Sequence, residues 1–186
     1  MTAPLMDNVT DVFVDKGYAV LRFNFRGVGT STGTWGNGVD EIDDVAAAVA
    51  AAKITYPELQ LGITGWSFGA ATSLRWAARE HSSLPWVGIA PPPPIYSGKR
   101  RLPLPDELIS SPRTIIIGDR DQYASVQEMS NYAAEVGASI QVLKGSDHFF
   151  YFREAVVGQL TVDGLSPAAA SADTGVAESP EVAELP

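Results

Sequence analysis

Ser67 stands between two glycines in Gly65-Trp66-Ser67-Phe68-Gly69. A short apolar run from Leu59 ends at Gly65, and a helix-forming segment through Leu74 follows at once. The pattern predicts strand, tight turn and helix, with a hydroxyl at the apex beside the positive end of the helix dipole. Both glycines are expected for steric reasons, because a strand turning this sharply into a helix crowds any Cβ. A hydroxyl in that place can attack an acyl carbonyl. It needs a base to accept its proton and a further group to orient the base.

The chain has two histidines. His81 falls at the far end of the helix after Ser67 and reads as a helix terminator. His148 falls just after the last expected strand, in Lys144-Gly145-Ser146-Asp147-His148-Phe149-Phe150. In a parallel sheet the loops at the carboxyl ends of the strands gather on one edge. Ser67 and His148 are therefore expected at one rim, with His148 as base. By the same rule the orienting acid follows the strand Thr114 to Ile117, where Gly118-Asp119-Arg120-Asp121-Gln122 offers two carboxylates. The chain order Ser, Asp, His suits either one. Asp147, next to the base, reads as a local loop cap.

These residues need elements to hold them. Val9 to Lys16 reads as a helix stopped by Gly17, and Tyr18 to Phe25 as a strand rich in aromatic and aliphatic residues. Arg26-Gly27-Val28-Gly29-Thr30-Ser31 is a glycine-rich loop. Gly27, Gly29 and Gly33 loosely suggest a dinucleotide-binding turn. The spacing is off by one residue, and no helix opens directly after it. Val39 to Ile54 reads as a helix with Asp40, Glu41, Asp43 and Asp44 crowding its first turns. That cluster is expected to be a solvated, dipole-favoured helix start and not a metal site.

The helix after Ser67 should run to about Glu80, with a strand at Trp86 to Ala90. Pro91 to Pro94 can continue neither strand nor helix. The 22 residues from Pro91 to Pro112 (112 − 91 + 1) are too few for a lid domain, with a short turn near Asp106 to Ile109. Thr114 to Ile117 reads as a buried strand, Val126 to Val136 as a helix, Ser139 to Leu143 as the last strand and Phe149 to Val157 as a closing helix. The expected class is α/β, a mostly parallel sheet with helices on both faces, spanning residues 1–160. Residues 161–186 turn to Ala, Pro, Ser, Glu and Asp without periodicity, and read as a disordered tail.

The 186 residues suffice for one core, with 45% apolar and 19% charged residues. A formal net charge of −9 argues against nucleic acid or an anionic membrane as partner. With no cysteine, disulfides, thiolate metal sites and a thiol nucleophile are excluded. No run is long and apolar enough to span a membrane, and the N-terminus carries no leader pattern, so a cytoplasmic protein is expected.

Four segments taken together resemble the α/β-hydrolases, and most nearly the small lidless bacterial hydrolases related to dienelactone hydrolases and serine aminopeptidases. They are Leu21 to Ser31, Gly65 to Gly69, Gly118 to Asp121, and Gly145 to Phe150. The likeness runs from about residue 6 to 155. In that family the acid is the fourth residue of a G-x-x-D turn, which maps to Asp121. The resemblance implies esterase-like acyl transfer without a cofactor, with the N–H of Phe68 as one oxyanion donor. It also implies that the family's first strands and second oxyanion loop lie before residue 1, so the fold is expected to be N-terminally truncated.

The residues and the resemblance thus point to a serine hydrolase using Ser67, Asp121 and His148 on a small ester, thioester or amide. The alternative is a non-catalytic α/β-hydrolase-like binding module or inactive fragment. A small-molecule substrate is the expected partner.

Overall fold

The computed structural model describes residues 4–166. Most of the expected tail lies outside that range. Four parallel strands form the central sheet in the order β1 (Ile63–Trp66), β2 (Trp86–Ile89), β5 (Arg113–Gly118), β6 (Ser139–Leu143). Between β2 and β5 lies a small antiparallel hairpin, β3 (Ile95–Tyr96) and β4 (Lys99–Arg100), followed by a 3-10 turn at Pro105–Glu107.

Helices cover both faces of the sheet, as a buried parallel sheet requires. On one face α1 (Pro4–Asp15) lies on α5 (Glu154–Leu165), and α5 packs on β2 and β5. On the other, α3 (Phe68–Arg79) covers β1 and β2, α4 (Val126–Glu135) covers β5 and β6, and α2 (Glu41–Thr55) packs outside α3. Strand β5 shows how one sequence serves both layers, since successive strand side chains point to opposite faces. Ile115 and Ile117 join Leu74, Met129 and Tyr132, whereas Ile116 joins Val9, Phe150 and Val157. All three isoleucines are fully buried.

Several expectations need correction. Tyr18 to Phe25 forms no strand and joins no ladder, and Tyr18, Val20, Leu21 and Phe23 are exposed. β-propensity supplies no backbone partner, and among the described residues β1 pairs only with β2. The first helix begins at Pro4, five residues before the expected start, and buries Leu5, Val9 and Phe13. The closing helix is shifted to Glu154–Leu165. It carries five residues assigned from composition to the tail, among them Thr161 and Val162, both buried. The acidic start of α2 is solvated only in part, at Asp40 and Asp43, which are exposed. Glu41 is fully buried, and its two carboxylate oxygens accept the N–H groups of Gly36 and Gly38 at 2.6 and 2.7 Å. Asp44 accepts from the Arg26 guanidinium at 2.8 and 3.0 Å and from the Arg26 amide at 2.9 Å. The hydrogen bond from Arg26 holds the Asp44 carboxyl below its ordinary range, against a smaller push upward from burial.

Candidate active site

Ser67 sits between β1 and α3 with φ 51° and ψ −112°, a conformation that non-glycine residues rarely adopt. The two flanking glycines are not equivalent. A Cβ on Gly65 would meet the Gly69 carbonyl carbon at 2.5 Å and the Ala70 nitrogen at 2.7 Å, whereas one on Gly69 would meet nothing within 4 Å. The turn therefore needs a glycine at 65 because the helix backbone passes against it. Gly69 supplies that passing backbone and has room for a side chain, contrary to the expectation from sequence.

Phe68 opens α3, where a backbone N–H has no carbonyl one turn back to receive it. Its ring is held from two sides, by Phe25 at 5.1 Å between centroids and by Trp35 at 4.6 Å. The glycine-rich loop that carries Trp35 is tied to α2 through Arg26–Asp44 and Glu41. The segment that loosely suggested a nucleotide-binding turn thus buttresses the residue after Ser67. Phe25 and Trp35 had no assigned role in the sequence reading.

His148 is buried in the loop after β6, and its Nδ1 lies 2.8 Å from Oδ2 of Asp121. The Asp121 side chain is fully buried, and its other oxygen accepts the N–H groups of Tyr123 and Ala124 at 2.8 and 3.2 Å. Burial pushes this carboxyl's pKa up. The His148 hydrogen bond and the two backbone donors outweigh it and leave Asp121 below its ordinary value. An ionised carboxylate only accepts, so Nδ1 carries the proton and the lone pair is on Nε2.

Asp119, the competing carboxylate, is engaged elsewhere, accepting the Gly145 N–H at 2.6 Å. Asp147 caps its own loop through the N–H groups of Phe149 and Phe150, both at 3.0 Å. His81 terminates α3 on the surface.

The loop bearing His148 is fastened at three further points. Gly118 lets it lie against the end of β5, since a Cβ there would sit 2.6 Å from the carbonyl carbon of Ser146 and nearer still to its oxygen. The Arg120 N–H donates to that same oxygen at 2.9 Å. From the other side, the Trp66 indole N–H donates to the His148 carbonyl oxygen at 3.1 Å. Trp66 also packs its ring 5.7 Å from the imidazole, while Tyr123 meets the imidazole edge-on at 4.6 Å. Neither Trp66 nor Tyr123 was marked by sequence, because these contacts join segments 82 and 25 residues apart (148 − 66 and 148 − 123).

Ser67 and His148 open into one cavity of about 420 Å³. No hydrogen bond joins the two side chains, a contact that often tightens only when substrate is bound. Trp66, Phe68, Tyr96, Tyr123 and Phe149 give the cavity aromatic walls, and Pro92 and Pro93 close one side. None of its lining residues carries a carboxylate. Among the described residues no cluster of His, Cys, Asp and Glu is arranged to hold a metal ion, and no helix is long and apolar enough to cross a membrane.

The chain is similar in sequence and in fold to known proteins. Residues 2–103 match the family described as serine aminopeptidase, S33. An uncharacterised protein of Rickettsia prowazekii (strain Madrid E), RP471, is 31% identical over 159 residues, which cover 82% of this chain and 67% of that protein. An alpha-beta serine hydrolase homologue from Coxiella burnetii superposes with a TM-score of 0.76 at 27% identity, covering 89% of this chain and 78% of the other. XC6422 from Xanthomonas campestris, described as an α/β serine hydrolase without a lid, gives 0.74 at 27% identity and covers 89% and 73%. By its family match, its sheet and its relatives, the chain belongs to the serine aminopeptidase S33 family of α/β-hydrolases.

Proposed function

We propose that the protein is an esterase-like serine hydrolase acting through Ser67, His148 and Asp121 on a small ester, thioester or amide. Ser67 Oγ attacks the acyl carbonyl carbon, and its proton passes to Nε2 of His148. The carbonyl oxygen becomes an oxyanion, which the Phe68 N–H receives. Collapse expels the alcohol, thiol or amine, which leaves with the proton from Nε2. Water then enters by the same route, giving its proton to His148, and the acid product departs from a regenerated Ser67. Asp121 holds the imidazole in the tautomer that can accept at Nε2 and stabilises the imidazolium formed on the way.

The observation that carries this reading is the His148–Asp121 contact of 2.8 Å, beside the cavity into which the strained Ser67 also opens. The cavity walls favour an ester over the N-terminal residue of a peptide. An aminopeptidase must hold a free ammonium, and among the described residues no carboxylate lines this cavity. Hydrolysis of 4-nitrophenyl acetate, followed by release of nitrophenolate, tests the proposal. Wild-type turnover that falls to background in Ser67→Ala is expected. Full activity in Ser67→Ala would remove the serine from the chemistry, and an inert but folded wild type would favour a binding module.

A further inference from the structure

The residues lining the cavity include no Lys, Arg, Asp or Glu, yet one of its walls comes from the most cationic stretch of the chain. Tyr96 belongs to the hairpin Ile95–Tyr96/Lys99–Arg100, and Lys99, Arg100 and Arg101 follow one another in a protein of net charge −9. Ser97 and Gly98 form the turn with φ of 50° and 73°. Positive φ at both central residues marks the tight type I′ connection, which fixes the register of the two strands.

Residues directly opposite each other in an antiparallel pair point to the same face. Tyr96 pairs with Lys99 and Ile95 with Arg100. The Arg101 N–H donates to the Pro94 oxygen at 2.8 Å, which extends the register by one more pair. Alternation then puts Lys99 and Arg101 on the Tyr96 face and Arg100 on the opposite one. Among the described residues neither Lys99 nor Arg101 has an ion-pair partner, whereas Arg22, Arg26 and Arg79 do. Two cations without a carboxylate partner therefore share a hairpin face with an aromatic residue of the cavity wall.

We propose that this hairpin face recognises an anionic group on the substrate, a carboxylate or phosphate carried some distance from the scissile carbonyl. The substrate class becomes an acyl ester or thioester whose reactive end enters the aromatic cavity and whose charged end rests on Lys99 and Arg101. This rests on the hydrolase reading for its chemistry but on the hairpin register for its charge preference, and the two can be separated.

Matched pairs of esters supply the test. One pair varies the acyl side: mono(4-nitrophenyl) glutarate against 4-nitrophenyl butyrate. The other varies the leaving group: 4-acetoxybenzoate against its methyl ester. The anionic member of at least one pair is expected to win in kcat/KM by about twofold to thirtyfold, each of two exposed charge contacts supplying about 1.4-fold to fivefold. That ratio should fall toward one in the double variant Lys99→Gln/Arg101→Gln and in high salt. It should persist in Arg100→Gln, whose side chain faces away. Binding of monoethyl glutarate to Ser67→Ala, followed by tryptophan fluorescence and compared with diethyl glutarate, reads the anion contact without turnover. Selective binding of the monoanion without hydrolysis by the wild type would sustain the anion site and sink the catalytic reading. Preference for the neutral member in both pairs, or a preference that survives the double variant, overturns the inference. A phosphate source is distinguished by competition, since inorganic phosphate would then suppress anionic turnover more strongly than acetate does.

Discussion

Replacing Gly118 by Ala should damage a site whose reacting groups it never touches. The new Cβ would lie 2.6 Å from the Ser146 carbonyl carbon, and ordinary contacts begin near 3.4 Å. The Ser146 peptide must therefore retreat by at least about 0.8 Å (3.4 − 2.6), and further to clear its oxygen, since β5 is held by β2 up to Ile116 and by β6 at Gly118 itself. That peptide accepts the Arg120 N–H at 2.9 Å and lies two residues before His148. A shift of about 1 Å in a catalytic group costs on the order of 10²-fold in rate. The expected result is a kcat for 4-nitrophenyl acetate lowered by about 10²-fold, with KM changed far less. Circular dichroism should show the native helix content, which separates displacement of the loop from global unfolding. A folded Gly118→Ala protein within threefold of wild-type kcat would refute the claim that this contact sets the position of His148.

Trp66→Phe removes the indole donor to the His148 carbonyl and keeps an aromatic ring in the cavity wall. A net hydrogen bond of about 0.5–1.5 kcal/mol corresponds to a loss in kcat of about twofold to tenfold, read by steady-state kinetics. Asp121→Asn should lower kcat by roughly 10³–10⁴-fold through the wrong imidazole tautomer. It should also destabilise the fold in a pH-dependent way. The folded carboxyl titrates below its unfolded value near 3.9. Its stabilisation is therefore complete above that value and is lost as pH falls through the folded pKa. The difference in urea midpoint between wild type and Asp121→Asn should thus shrink from pH 7 to pH 3. Gly65→Ala should abolish activity by forcing the strand from the helix, whereas Gly69→Ala, with open space around it, should fold with a melting temperature close to wild type.

What was legible in the sequence was whatever local punctuation sets. Gly65 before Ser67 and the places of Ser67 and His148 after their strands follow from short-range turns, and the structure brings His148 onto Asp121, the carboxylate that the family resemblance picks over Asp119, at the cavity shared with Ser67. Less legible was everything decided by partners distant in sequence. Tyr18 to Phe25 has the composition of a strand, but pairing depends on a neighbour that composition does not report. Glu41 reads as solvated like its neighbours because helix-dipole logic treats each acid alone. Burial of Glu41 is decided by loop amides at Gly36 and Gly38. The hairpin after the proline run was missed because its strands have two residues each, too few for any period to show.

The most direct test is covalent. A fluorophosphonate needs an activated serine, its base and an oxyanion site, and marks the residue it finds. Intact-mass and peptide analysis of the treated protein should show a single adduct on Ser67, absent in Ser67→Ala and formed far more slowly in His148→Ala. A folded protein that gains no adduct, or gains it on another residue, would contradict the assignment of Ser67 as nucleophile.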